Sequence, residues 1–172
     1  SKKNKGKIEI PIFNKLNDDR ENKKYSRFLK TPISIIILEG WCLGLKPQKS
    51  EELNTPINEL ERVYDTDGTW RKFVNAQLAS AYREIFQMLD LLIMLKAPSF
   101  ESVYNWRLQQ ENRMYEATIS DSKRKMSPDE LKNFIQHFER LTVHSLEKLP
   151  NYADYLFELN EQRSITKYKK LI

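Results

Sequence analysis

A carboxylate directly follows an apolar run of the sequence. Residues 33–38 are almost continuously apolar, and Glu39, Gly40 and Trp41 come next. A charge at the end of a buried strand can simply face solvent and needs no function. At the edge of a parallel sheet, however, the same acid would lie in a ligand-binding crevice, and the glycine beside it allows a close backbone approach. Both interpretations of Glu39 remain open from the residues alone.

Polar side chains also follow two other apolar runs. Residues 8–13 are followed by Asn14, Lys15, Asp18, Asp19 and Arg20, and residues 91–95 by Lys96 and Ser99. If these runs are parallel strands, their carboxyl ends meet at one edge of a sheet. Cations there would offset the charge of an anionic substrate, and acids would hold a metal or accept a proton. The pattern therefore favours an anionic substrate or a metal-bound phosphate.

The stretch "VYNWRLQQENR" supplies a second set of candidates. On a helix, Arg107, Gln110 and Glu111 share a face, and an Arg–Glu pair at i, i+4 stabilises a helix without any function. A basic segment follows, with Arg113 and then Lys123, Arg124 and Lys125 before the next helix begins. Such a polar, cationic connection between two helices is typical of a lid that closes over phosphate. We take residues 107–126 as the candidate lid.

Alternating strands and helices are predicted to position these residues. Apolar runs predict strands at residues 8–13, 33–38, 91–95 and 155–159. Apolar spacings of three and four predict helices at residues 70–89 and 99–116, and a short helix at 56–64 started by Thr55. Ser127 and Glu130 form a capping box with Pro128 at the first helical position, and Pro150 ends the helix that follows. Strands that alternate with helices indicate an α/β fold with a parallel, layered sheet.

Composition excludes several classes of protein. The chain has 172 residues, 40% of them hydrophobic, which suits one soluble globular domain spanning residues 1–172. No apolar stretch approaches the roughly 20 residues that cross a bilayer, and the single cysteine, Cys42, cannot form an internal disulfide. We therefore expect a cytoplasmic protein that does not associate with membranes. The net charge of +5 results from 29 Lys and Arg residues against 24 Asp and Glu residues. Because acids are distributed through nearly the whole basic background, the charge does not indicate a nucleic-acid-binding surface. His137 and His144 lack metal-ligand spacing and are expected to pack or face solvent.

Six stretches resemble one known family, in order and with similar spacing. They are "IPIFNKLNDDR", "IIILEGWCLGLKPQ", "NELERVYDTDGTWRKFVNAQLA", "APSFESVYNWRLQQE", "MSPDELKNFIQHFERLT" and "LPNYADYLFELNEQR". The family is that of bacterial kinase-like proteins related to D-glycerate 3-kinase, which are similar to uridine kinase, phosphoribulokinase and pantothenate kinase. The resemblance implies the P-loop fold, a three-layer parallel β-sheet flanked by helices. It also implies transfer of the γ-phosphoryl group of ATP, with Mg²⁺, to a hydroxyl of a small metabolite.

The resemblance assigns roles to matching residues. Glu39 matches the acid that closes the Walker-B-like strand, where it would act in catalysis through an indirect magnesium contact or a contact with the substrate. Lys15, Asp19 and Arg20 match the substrate-side loop. Arg107, with Gln110 nearby, matches the start of the lid helix, where an arginine offsets charge on the transferring phosphoryl group. Arg113 and Arg124 belong to the same lid and phosphate set.

One family feature is missing from this sequence. The phosphate loop G-x-x-x-x-G-K-[ST] does not occur around Gly6, Gly40, Gly44 or Gly68. The resemblance therefore implies the C-terminal part of a P-loop kinase domain, with the P-loop segment or another protomer as a partner. The alternative is a non-catalytic remnant or regulatory module without ATP turnover. D-glycerate is the best candidate for the phosphate acceptor, and nucleosides, sugars and pantothenate remain open.

Overall fold

The computed structural model describes residues 6–14, 19–117 and 126–171, with the side chains of residues 114–117 excepted. The chain divides into two compact units, Ser1–Glu39 and Gly40–Ile172. The first unit consists of short antiparallel strand pairs, and the second contains the helices and a mixed sheet.

In the first unit the strands pair as ladders of four and two residues. Strand β1 (Lys7–Ile10) is antiparallel to β4 (Arg27–Lys30), and β2 (Phe13–Asn14) is antiparallel to β3 (Asp19–Arg20). The prediction of one parallel strand over residues 8–13 is therefore wrong. Pro11 lies between β1 and β2, where it has no N–H to donate to a ladder. Alternation alone did not reveal this interruption or the antiparallel partner.

The apolar run 33–38 does not form a strand in this structure. Its residues are assigned to no ladder, and Ile36 and Ile37 are 81% and 88% exposed. The prediction of a central strand covered on both faces is therefore wrong for the described residues. A central parallel strand needs a neighbouring strand on each edge and cover on each face, and no described segment pairs with this run. A three-layer parallel sheet is accordingly not seen in the described part of the chain.

The second unit is built on a three-stranded mixed sheet. Strand β5 (Ile93–Lys96) runs parallel to β6 (Tyr155–Leu159), and β7 (Ile165–Lys170) is antiparallel to β6. The predictions of strands at residues 91–95 and 155–159 are confirmed. The sequence "ITKYKK" of β7 was not predicted as a strand, because its lysines are typical of a solvated tail and its side chains are indeed exposed.

Five α-helices accompany this sheet in the described part of the chain. They are α1 (Glu59–Tyr64), α2 (Thr69–Ala79), α3 (Ala81–Phe86), α4 (Phe100–Ala117) and α5 (Pro128–Lys148). The predicted capping box is present, since the Ser127 side chain accepts from the Glu130 N–H at 3.2 Å and the Glu130 carboxylate accepts from the Ser127 N–H at 2.8 Å. The helix predicted over residues 70–89 is broken at Ser80, whose hydroxyl donates to the Ala76 carbonyl at 2.7 Å. Asn58, not Thr55, caps α1.

The core of the second unit lies on one face of the sheet. Met94 of β5 and Leu156 of β6 are buried there against Leu149 and Ala153, which follow α5. The parallel pair β5–β6 requires a crossover connection, and α4 and α5 are the helices of that connection. The sheet therefore fixes both ends of the segment that carries the candidate site.

Two buried arginines attach the irregular segment around residues 49–58 to the helices. Arg140 of α5 forms a two-pronged pair with Glu61 at 2.7 and 2.6 Å and donates to the Glu52 and Thr55 carbonyls. Arg71 of α2 pairs with a buried aspartate and donates to the Leu53 carbonyl at 2.6 Å. Three carbonyls of this segment therefore accept from guanidinium groups, which fasten to the helices a stretch whose regular structure is one short 3-10 helix, Ser50–Leu53.

Candidate anion-binding site

A cavity of about 540 Å³ opens beside helix α4. Its lining combines an aromatic and aliphatic floor with cations and one amide. The lining residues are Trp41, Val103, Trp106, Arg107, Gln110, Arg113 and Arg163. All of them belong to the second compact unit.

One face of α4 supplies most of this lining. Val103, Trp106, Arg107, Gln110 and Arg113 recur at intervals of three and four along the helix. Residues at these intervals lie on the same side of an α-helix. The sequence "VYNWRLQQENR" therefore presents an apolar end and a cationic end to the same cavity.

Helix α5 fixes the position of Trp41, which lines the cavity. The Trp41 indole N–H donates to the Thr142 hydroxyl at 3.0 Å, and the two aromatic rings of Trp41 and Phe138 lie 5.1 Å apart. The Thr142 hydroxyl in turn donates to the Phe138 carbonyl at 2.7 Å. An indole fixed through both its ring and its N–H loses little further freedom when a ligand packs on it.

Arg107 is already engaged within its own helix. Its guanidinium lies 3.0 Å from the Glu111 carboxylate and donates to the Gln110 side-chain oxygen at 3.4 Å. It also lies over the Phe134 ring, 5.9 Å from the ring centre. The helix-stabilising i, i+4 pair is therefore present, and Glu111 offsets the charge of Arg107.

Arg163 reaches the cavity from the turn between β6 and β7. Its guanidinium lies 5.3 Å from the centre of the Trp106 ring and donates to the Gln109 side-chain oxygen at 3.0 Å. The Trp106 indole N–H donates back to the Glu161 carbonyl at 2.6 Å. The turn and α4 therefore hold each other through reciprocal contacts. Sequence reasoning did not single out Arg163, although it ends the matched stretch "LPNYADYLFELNEQR".

The arrangement suits an anion that carries an apolar or planar part. A guanidinium presents several N–H donors in a planar fork that fits the oxygens of a carboxylate or phosphate. The aromatic floor excludes water from one side of such a ligand, which strengthens the electrostatic attraction. The predicted residues Arg107, Gln110 and Arg113 are thus brought together by the structure.

The other predicted site residues are distributed differently. Glu39 is exposed at the end of the first compact unit. Asp19 and Arg20 are exposed in β3, where the Asp19 carboxylate accepts from the Arg20 N–H at 2.6 Å. The expectation that they follow a parallel strand is wrong, because β3 belongs to an antiparallel pair. Lys15 and Arg124 lie outside the described residues.

No metal centre accompanies the cavity in the described part of the chain. Within residues 6–14, 19–117 and 126–171, no group of three or more His, Cys, Asp or Glu side chains could hold a metal ion. The buried His144 instead forms a hydrogen bond with the Lys46 carbonyl at 3.0 Å, which confirms it as a packing histidine.

Burial raises the pKa of the Cys42 thiol to about 12, so it does not act as a thiolate. None of the described helices is both long and apolar enough to cross a bilayer.

Comparisons with known proteins point to kinases. No family model matches the chain. The chain is 29% identical over 160 residues to the uncharacterized kinase mug58 of Schizosaccharomyces pombe, covering 90% of this chain and 52% of that protein. It is 27% identical over 154 residues to the chloroplastic D-glycerate 3-kinase of Arabidopsis thaliana, covering 87% of this chain and 28% of that protein.

A solved structure shares the fold. The D-glycerate 3-kinase of Cryptococcus neoformans superposes with a TM-score of 0.72 at 19% identity, covering 96% of this chain and 60% of that one. The chain therefore spans about half or less of the curated relatives named above. The curated relatives named above are kinases, D-glycerate 3-kinase among them, and the solved structure shows that this chain shares its fold with a D-glycerate 3-kinase.

Proposed function

We propose that this chain is part of an ATP-dependent kinase that transfers the γ-phosphoryl group to a hydroxyl of a small metabolite, with D-glycerate as the leading acceptor. One observation carries the proposal. The helix that bears the motif "WRLQQE" lines a cavity with three guanidinium groups set around an aromatic floor. Catalysis of phosphoryl transfer depends mainly on positioning and on offsetting negative charge, and this cavity offers both.

Five of the lining residues have a defined part in this proposal. The guanidinium groups of Arg107 and Arg113 offset charge on the phosphoryl oxygens, and Gln110 orients a bound hydroxyl or phosphate. Trp41 and Trp106 exclude water, which would otherwise compete with the acceptor hydroxyl for the phosphoryl group. Glu111 keeps Arg107 extended along α4 through its 3.0 Å ion pair. Residues 107–126 serve as the lid, of which residues 107–117 continue helix α4.

The residues present fit the nucleotide better than they fit the metal. ATP would supply the phosphoryl group, and the three guanidinium groups that line the cavity are suited to its phosphates. For Mg²⁺ we assign Glu39, one exposed carboxylate, an indirect contact through water, because one carboxylate does not make a direct ligand set. We assign Lys15, Asp19 and Arg20 to the acceptor side, and a cytoplasmic location, as parts of the same proposal.

Kinase activity of the gene product that contains this chain tests the proposal. The protein is assayed for ADP release with ATP and Mg²⁺ against D-glycerate, uridine and pantothenate, and the product is identified by mass spectrometry. Glu39→Gln and Arg107→Gln should each lower turnover by about 10²–10³-fold while the protein stays folded. The matched control is Arg62→Gln, which removes an exposed arginine of α1 that does not line the cavity.

Two outcomes would contradict the proposal. Near-normal turnover of Arg107→Gln would remove the cavity from catalysis. The non-catalytic module would be favoured if no acceptor received a phosphoryl group and if none of these ligands raised the melting temperature of the protein.

A further inference from the structure

The three cations of the cavity are not equivalent. Arg107 is neutralised by Glu111 at 3.0 Å. Among the described residues, Arg113 and Arg163 have no acidic partner, and both side chains are exposed. The guanidinium charge that is not already paired with a carboxylate therefore lies on Arg113 and Arg163, whereas the charge of Arg107 is partly offset before a ligand binds.

Of these two arginines, Arg163 is the one whose position is fixed by its backbone before a ligand binds. Its backbone has φ = 64°, in the left-handed region that is uncommon for residues other than glycine. The turn is closed by the Arg163 N–H, which donates to the Asn160 carbonyl at 2.9 Å, and by the Asn160 side chain, which accepts from the Ser164 N–H at 2.8 Å. A closed turn in this backbone state aims the side chain at α4.

The contacts of the guanidinium leave part of it available. One terminal nitrogen, Nη2, donates to the Gln109 side-chain oxygen at 3.0 Å and to the Trp106 carbonyl at 3.4 Å. The plane of the group is supported by the Trp106 ring at 5.3 Å. The other terminal nitrogen and Nε have no hydrogen bond within the described residues, so they can donate to the oxygens of a ligand. A fork held in place in this way loses little side-chain entropy on binding.

We propose that Arg163 is the principal phosphate-binding residue of the cavity, with Trp106 as the surface that orients it. Two uncompensated guanidinium groups match a dianionic phosphoryl group better than the single charge of a carboxylate. The ligand class is therefore a phosphate-bearing molecule, either a nucleotide or a phosphorylated small acid. This inference rests on the proposed function for the choice of phosphate over other dianions.

Calorimetric titration tests the assignment on the full chain. Inorganic pyrophosphate and ATP probe the phosphate group, adenosine probes the base without phosphate, and D-glycerate probes a lone carboxylate. Pyrophosphate and ATP should bind, and Arg163→Gln should weaken both by about tenfold or more, since a charged hydrogen-bond donor is lost. Arg163→Lys should recover part of the affinity because it keeps the charge without the fork. Arg107→Gln should weaken binding less than about threefold, because Glu111 already offsets its charge.

A merely structural role of Arg163 makes a different prediction. Gln109→Leu removes the side-chain acceptor of Arg163 but leaves its charge and its contact with the Trp106 carbonyl, so phosphate binding should persist. If Arg163 served only to fasten the turn to α4, Gln109→Leu would reduce binding and thermal stability as strongly as Arg163→Gln. Circular dichroism of each variant establishes that the fold is retained.

The inference and the proposed function fail in distinguishable ways. Unchanged pyrophosphate affinity in Arg163→Gln, or a larger loss in Arg107→Gln, overturns the inference while kinase activity stands. No pyrophosphate or ATP binding by the wild-type chain also overturns it. Arg163-dependent pyrophosphate binding in a protein without phosphoryl transfer upholds the inference and removes the proposed function.

Discussion

Replacement of Arg140 by methionine should destabilise the protein strongly, because it leaves a buried carboxylate without its partner. The side chains of Arg140 and Glu61 are each only 8% exposed, and two charged hydrogen bonds of 2.7 and 2.6 Å join them. Arg140 also donates to the Glu52 carbonyl at 3.0 Å and to the Thr55 carbonyl at 2.7 Å. The substitution therefore removes four hydrogen bonds, two of which are those that pair the buried Glu61 carboxylate with Arg140.

The expected cost follows from these contacts. Breaking a buried ion pair by removing one partner costs about 3–5 kcal/mol, mostly through the uncompensated charge. For a chain of this length that corresponds to a fall in melting temperature of roughly 6–20 °C. Helix α5 also carries Thr142, which accepts from the Trp41 indole N–H at 3.0 Å, so loosening the helix should disturb the cavity wall as well.

Urea unfolding followed by far-ultraviolet circular dichroism measures this cost. The double variant Glu61→Gln/Arg140→Met should lose less than the sum of the two single variants, because the buried charge is removed together with its partner. The matched control is Arg62→Met on helix α1, whose exposed pair with Glu59 should contribute about 0–1 kcal/mol. A loss below about 1 kcal/mol in Arg140→Met, or strict additivity in the double variant, would show that the unpaired Glu61 carboxylate does not destabilise the protein.

Three further predictions concern single side chains of the second unit. Burial acts to raise the pKa of Asp65, but N–H groups of Trp70 and Arg71 and the Arg71 guanidinium hold it below its usual range. Its stabilisation should therefore be complete above the unfolded pKa of about 3.9 and be lost as the pH falls through the lower folded value; Asp65→Asn should flatten this acid dependence in urea unfolding, and an unchanged slope would contradict it. Ser127→Ala should lower the free energy of unfolding by about 1 kcal/mol through loss of the α5 cap, and no change would show that the cap contributes nothing. The Cys42 thiol, with its pKa raised to about 12 by burial, should react with a disulfide reagent at pH 8 far more slowly in the native chain than in urea, whereas equal rates would show that it is accessible and ionised.

Local sequence signals predicted the elements whose causes are local. The box formed by Ser127 and Glu130 fixed the start of α5, because both hydrogen bonds lie within one turn of the helix. The runs around β5 and β6 were recognised as strands because their buried side chains, Met94 and Leu156, sit within short apolar segments. The break at Ser80 was missed, since apolar periodicity continues across it and only the hydroxyl contact with Ala76 marks it.

Features that depend on distant partners were not predictable in the same way. Residues 33–38 have the composition of a buried strand, yet a strand exists only where a neighbour pairs with it, and none does among the described residues. The antiparallel partner of β1 is β4, which carries no apolar run distinct enough to identify it. Predicting parallel strands throughout the first unit was therefore an extrapolation from composition alone.

The candidate site divides along the same line. Arg107, Gln110 and Arg113 could be grouped from helical spacing, because one helix carries all three. Trp41 and Arg163 reach the cavity only through tertiary contacts, with the Trp41–Thr142 hydrogen bond joining residues 101 positions apart. Spacing along the chain contains no information about such contacts. The motifs that contain Trp41 and Arg163 were recognised, but their side chains could not be assigned to one site.

We expect a phosphate-bearing ligand to occupy the cavity between α4 and the β6–β7 turn. The chain contains three tryptophans, of which Trp41 and Trp106 line the cavity and Trp70 does not. Their indole N–H groups give three separate signals in a ¹H–¹⁵N nuclear magnetic resonance spectrum. On titration with ATP, the Trp41 and Trp106 signals should show saturable shifts while the Trp70 signal stays unchanged. Shifts confined to Trp70, or no shift of any indole at saturating ATP, would contradict it.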